Sequence, residues 1–143
     1  MNKLLKYFLI ILIFGSVEAF AIENFFDKAK NLFDKGKYEE SKFLLQRNIV
    51  FNPKDAKSYL YLAKIYETEE NEREKEKNIN TTLLLEPDNE DAMYMLIDLK
   101  LEKSDYTKVK ELSEKFEIIC SSLCDKIESI KERLINIEAK DES

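Results

Sequence analysis

Asn52-Pro53-Lys54-Asp55-Ala56 and Glu86-Pro87-Asp88-Asn89-Glu90 stand 34 residues apart, proline on proline. Each stretch follows an apolar helix end, Ile49-Val50-Phe51 or Leu83-Leu84-Leu85, and each precedes a new amphipathic run. Proline cannot continue a helix, so it closes one unit and admits the next. A period of about 34 residues built from two helices predicts a stack of helix pairs, a solenoid. Such stacks present surfaces to other proteins and are quasi-one-dimensional in their energetics.

The rest of the chain agrees with an all-α reading. Two Gly and two Pro in 143 residues leave little punctuation for turns between strands. The long Lys/Glu-rich amphipathic runs predict helices over about 23–35, 38–52, 55–68, 71–86, 89–103, 105–119 and 122–139. The repeats run over about 22–55, 56–89 and 90–121, with a last helix over about 122–139. Asp34-Lys35-Gly36-Lys37-Tyr38 is a tight turn in which Gly36 can take the left-handed conformation. Lys103-Ser104-Asp105-Tyr106 occupies the same place in the third pair, with Ser104 or Asp105 as the cap of the next helix. Asn71-Glu72-Arg73-Glu74 has the form of a capping box.

Residues 1–21 read as a secretory signal. Lys3 and Lys6 precede a short apolar run opening at Tyr7-Phe8-Leu9-Ile10, and Ala19-Phe20-Ala21 has the small-x-small form that precedes cleavage. The apolar run ends near Val17, short of the roughly 20 residues a spanning helix needs. No Cys follows it to carry a lipid. Export to a periplasmic or secreted location is therefore expected, with 22–143 as one helical domain and no membrane insertion after cleavage. The segment holds two Lys and one Glu, so its removal takes the net charge from −6 to −7. An acidic chain argues against nucleic acid, whose backbone calls for a basic face.

The chemical inventory is poor. With no His the chain lacks the usual general base and the commonest metal ligand. Two Cys cannot build a four-ligand zinc site, and no Gly-rich loop can cradle a phosphate. No metal, cofactor or catalytic residue is expected, and the chain is read as not an enzyme. Cys120 and Cys124 sit together in an exported chain, where a disulfide is the default. In a continuous helix residues four apart do not bridge without distortion, whereas a turn at Ser121-Ser122 can close the gap. The alternative is two thiols packed as small hydrophobes.

Aligned on Pro53 and Pro87, the repeats begin at Ile22, Ala56 and Glu90, and the chain resembles the tetratricopeptide repeat family. Its large first-helix residue falls on Phe25, Tyr59 and Met93. Its small residue falls on Ala29 and Ala63, with Ile97 in the third repeat. The aromatic after the turn is Tyr38 and Tyr106. The small residue of the second helix is Ser41, then Lys75, then Val109. Glu69 to Lys77 lacks the packing signature and reads as a solvated helix start, or else a charged docking strip.

The resemblance implies a concave groove lined by the first helix of each repeat, receiving a peptide or a partner's helix. Carried over by repeat position, its residues are Glu23, Phe26, Lys30 and Phe33, then Lys57, Leu60, Lys64 and Glu67, then Asp91, Tyr94, Asp98 and Leu101. Phe26, Phe33, Leu60, Tyr94 and Leu101 would form an apolar floor, with lysines toward the first two repeats and aspartates toward the third. The other reading of Phe26 and Phe33 is packing beneath a neighbouring loop. Family resemblance further suggests a non-catalytic adaptor of the cell envelope, in assembly of a pilus, secretion or division apparatus. In the last helix Leu123, Ile127, Ile130, Leu134 and Ile137 form one apolar stripe. It suits a cap on the stack or, alternatively, a coiled-coil seam for a homodimer in a structural protein.

Overall fold

The structure, a computed structural model, describes residues 24–141. The signal segment, the cleavage site and Glu23 lie outside the described residues. Seven helices and no strand occur among those described: α1 (Phe25–Asp34), α2 (Tyr38–Phe51), α3 (Ala56–Thr68), α4 (Glu72–Leu85), α5 (Glu90–Glu102), α6 (Tyr106–Ile119) and α7 (Lys126–Asp141). Successive helices pack as antiparallel pairs, α1 with α2, α3 with α4 and α5 with α6, and each pair rests on the next.

Local chemistry sets the helix starts. Asn24, Asn71, Asn89 and Asp105 each accept a hydrogen bond from the backbone N–H three residues on, satisfying one orphan donor of the first turn. Asp105 thus serves as the cap of α6. Gly36 takes a φ of 73°, and the same repeat position is left-handed at Glu70 (56°) and Ser104 (55°). All three pairs therefore turn through one geometry, and only the first uses the residue for which that region is free of Cβ strain.

Close approach within the first pair follows the small residues. Ala29 and Ser41 are both sealed from solvent, and the Ser41 hydroxyl donates to the Ala29 carbonyl at 2.8 Å. In the second pair Lys75 occupies the Ser41 position and is nevertheless buried, at 4 % exposure. Its stem lies in the interior and its ammonium emerges to meet Glu67 at 2.9 Å, with Glu102 at 3.9 Å. The start of this helix is otherwise solvated as expected, with Glu69 to Arg73 and Lys77 exposed, and Lys75 is the exception. Glu76 on α4 also holds Lys100 at 2.5 Å and Lys103 at 2.7 Å across to α5. Charges here bind neighbouring pairs together, which periodicity of apolar residues alone does not register.

The core is in two clusters joined through α3. Ala29, Leu45, Leu62 and Ile65 form the smaller, under Phe26, Phe33, Tyr38 and Tyr61. Leu60, Ala63, Ile79, α5 and α6 form the larger, centred on Phe116 and Ile97. Ile130 of α7 is buried in the larger cluster, with Leu123, Ile127 and Leu134 packed against it. The stripe of the last helix is therefore turned inward as a cap, against α5 and α6. It is not an open seam: of the apolar side chains described on α7, Ile135 is the one largely exposed. The side chain of Ile137 lies outside the description.

The last helix starts at Lys126 rather than near 122, because residues 120–125 form a separate lock. Cys120 and Cys124 are bridged, with Cα atoms 5.3 Å apart. Within this loop the backbone N–H groups of Ser121, Ser122 and Leu123 all donate to the Glu90 carboxylate, at 2.9 Å each. Both serine hydroxyls donate to it as well. The Ser121 hydroxyl first, and the amides after it, hold the Glu90 carboxyl at about 2, well below its usual 4.5. One carboxylate at the start of α5 thereby fixes where the chain leaves α6 and enters α7.

Candidate functional site

The described residues of the expected groove, here called the inner face, lie on α1, α3 and α5, where α1 meets α3 through aromatic rings and α3 reaches α5 through Lys64 and Asp91. On its first-repeat side three aromatic rings interlock. Phe26 meets Tyr61 edge-on at 5.5 Å between centroids, and Phe33 meets it edge-on at 5.0 Å. Phe33 also touches Tyr38 of α2 at 5.4 Å. The three rings are partly buried, so they form a floor with exposed edges. Phe26 and Phe33 therefore pack between α1 and α3, not beneath a loop.

Tyr61 is the residue the sequence reading passed over in favour of Leu60. Leu60 is 6 % exposed and belongs to the larger core cluster. One residue along a helix is a rotation of about 100°. That step carries position 60 into the interior and leaves 61 on the inner face. A signal was present: Tyr61 and Lys64 are three apart and share a helix side. Lys64 in fact lies over the Tyr61 ring at 5.5 Å. Leu101 is corrected on the same ground, since at 4 % exposure it is a core side chain.

The charges arrange themselves differently from the expected polarity. Lys64 reaches Asp91 of α5 at 3.6 Å. Asp98 is paired with Arg133 of α7. Neither aspartate of the third repeat is then a free acidic pole. Tyr94 rests tilted on Phe116 at 6.2 Å, and burial first, with Asp98 second, pushes its hydroxyl above the usual range. The cap has thus occupied the third-repeat end of the inner face. Lys30 bonds Asp34 at 2.7 Å, and that hydrogen bond, helped by Tyr61, raises its ammonium above the usual value. Glu67 is turned to Lys75. Lys57 is exposed and has no ion pair among the described residues.

What survives is an aromatic floor of Phe26, Phe33 and Tyr61 flanked by Lys30, Lys57 and Lys64. Of these lysines Lys30 and Lys64 already have carboxylate partners, and Lys57 alone has none among the described residues. Among the described residues no group of three or more His, Cys, Asp or Glu could hold a metal. No helix among them is long and apolar enough to cross a membrane.

No protein-family model and no curated protein sequence matches the chain. Solved structures do match in shape. The second tetratricopeptide domain of human RPAP3, solved in complex with the HSP70 peptide SGPTIEEVD, superposes with a TM-score of 0.63 at 20 % identity, over 78 % of this chain and 90 % of that one. The Yersinia enterocolitica type III secretion translocator chaperone SycD superposes at 0.71 with 14 % identity, over 93 % of this chain and 94 % of that one. SycD in complex with a peptide of the translocator YopD superposes at 0.70 with 14 % identity, over 89 % and 99 %. The fold of this chain is that of a tetratricopeptide-type α-solenoid.

Proposed function

We propose that the chain is a non-catalytic adaptor that holds a peptide or partner segment of mixed apolar and acidic character on its inner face, at the first two repeats. The observation that carries this is the floor of Phe26, Phe33 and Tyr61 with Lys57 unpaired beside it. Two solved chains of like fold were captured with peptides, which supports the same class of ligand. Asp98 is tied to Arg133 of the cap and Tyr94 rests on Phe116 of α6, which supports a peptide footprint shorter than three full repeats. We further propose that the protein works outside the cytoplasm, in assembly of an envelope machine such as a pilus, secretion or division apparatus. The apolar segment after Lys3 and Lys6 and the Cys120–Cys124 bridge support this.

The test is a pull-down from envelope extract with wild type beside Lys57→Glu/Lys64→Glu, after circular dichroism shows equal helicity. A partner retained by wild type and lost by the variant supports the inner face. A partner retained equally by both would exclude it. N-terminal sequencing of the chain recovered from the periplasm should begin at Ile22 if export proceeds as proposed; an intact Met1 would overturn cleavage.

A further inference from the structure

The outer surface carries a feature that neither the core nor the inner face uses. Val50, Leu84 and Ile118 are 77 %, 81 % and 83 % exposed. They stand 34 residues apart, one per repeat, at the C-terminal ends of α2, α4 and α6. Single exposed aliphatics are ordinary on protein surfaces. Three at one repeat position, each more than three-quarters open to water, make a row along the stack. Phe43, on the same side of α2 as Val50, is also largely exposed.

We propose that this row is a contact between two copies of the chain, paired about a twofold axis at Leu84. In that pairing Leu84 meets Leu84 of the second copy, and Val50 meets Ile118 of the second copy. A symmetric contact needs a surface that complements itself under the twofold operation. A row of three like side chains in equal steps, with the axis at the middle one, meets that need.

Charge chooses between the two ways of pairing the row. Beside Val50 stand Arg47, whose guanidinium lies over the Phe25 ring at 4.6 Å, and exposed Lys54; neither has an acidic partner among the described residues. Beside Ile118 stands Glu114, exposed and unpaired among the described residues, while Lys115 is held by Glu111. Pairing Val50 on Val50 would gather the cations Arg47 and Lys54 of both copies at one end of the row. Pairing about Leu84 instead sets Arg47 beside Glu114 of the second copy, where Lys115 is already held by Glu111, which is favourable. The net charge of −6 counts against an anionic lipid surface as the occupant. The row lies on the outer helices, so a dimer leaves both inner faces open for ligand.

The experiment is sedimentation equilibrium of the purified full chain, with short bis-maleimide cross-linking of single-cysteine additions. Wild type should be a dimer, and Leu84→Asp should raise its dissociation constant about tenfold or more with unchanged helicity. Glu114→Arg should weaken the dimer, and adding Arg47→Glu should restore it. Leu84→Cys should cross-link to itself. Val50→Cys should cross-link in a mixture with Ile118→Cys and not alone. A chain that stays monomeric at about 1 mM, the weak end of measurable association, overturns the proposal. So does a dimer indifferent to Leu84→Asp, a Val50→Cys that links to itself while the mixture does not, or a monomer that floats with zwitterionic vesicles through this row.

Discussion

At the scale of single residues, backbone conformation and one carboxylate carry most of the testable content. Gly36, Glu70 and Ser104 share a left-handed turn, and a Cβ at Gly36 would meet nothing within 4 Å. The cost of a side chain there is thus conformational, not steric crowding by neighbours. Left-handed backbone costs an L-residue roughly 1–2 kcal/mol, partly offset by the smaller unfolded-state entropy of a non-glycine residue. Gly36→Ala should lower stability by about 1 kcal/mol, and Ser104→Gly should raise it by about 0.5–1 kcal/mol, in urea unfolding. Equal midpoints for Ser104→Gly and wild type would show the third turn to be unstrained.

Glu90 gives a pH signature at the same scale. Its carboxyl is held at about 2 in the folded chain against an ordinary 4.5. A depressed folded value adds stability that is complete above the unfolded value and lost as pH falls through the folded one. The melting difference between wild type and Glu90→Gln should therefore be level above about pH 5 and shrink between about 4.5 and 2. A difference that stays constant down to pH 2 would mean that the loop amides do not hold the charged form.

At the scale of the element, α4 shows why an unpromising sequence still makes a packed helix. Lys75 stands where the first repeat has Ser41 and the third has Val109, both sealed from solvent. The lysine keeps its stem inside and its charge at the rim, where Glu67 is half exposed. Because that carboxylate stays hydrated without its partner, replacing the lysine by an apolar residue of similar length leaves no buried charge behind. Lys75→Met should be neutral or stabilising by up to about 1 kcal/mol, read from the thermal midpoint. A loss of several kcal/mol would instead assign the ion pair a dominant part in joining α3, α4 and α5.

At the scale of the whole molecule, the two core clusters make stability uneven along the stack. Leu45 is fully buried in the smaller cluster and does not enter the larger one. Leu45→Ala should cost about 2–5 kcal/mol. In a quasi-one-dimensional stack that loss should fall mainly on the first repeat. Hydrogen exchange should then quicken in α1 and α2 and stay slow in α5 and α6, where Phe116 and Ile130 close the core. Uniform acceleration of all helices would show the stack to be one cooperative unit. The larger cluster at the capped end also explains why ligand is assigned to the opposite end, where aromatic edges and Lys57 stay open.

The period of Pro53 and Pro87, the breaker-poor composition and the turn around Gly36 carried the helix pairs, their order and most of their ends. These follow from contacts between near neighbours in the chain, which periodicity records. Cys120 and Cys124 could be brought together by a local turn, and that too was legible within six residues. The row facing the inner surface was not. A helix positions each side chain only to within the rotation its packing selects, and one step exchanged Leu60 for Tyr61. The pairing of Asp98 with Arg133 and the reach of Glu90 to Ser121–Leu123 join residues more than 30 positions apart. No local pattern encodes such distances. They arise once α7 lies on α5 and α6 and brings those charges within bonding range, and only tertiary packing decides that.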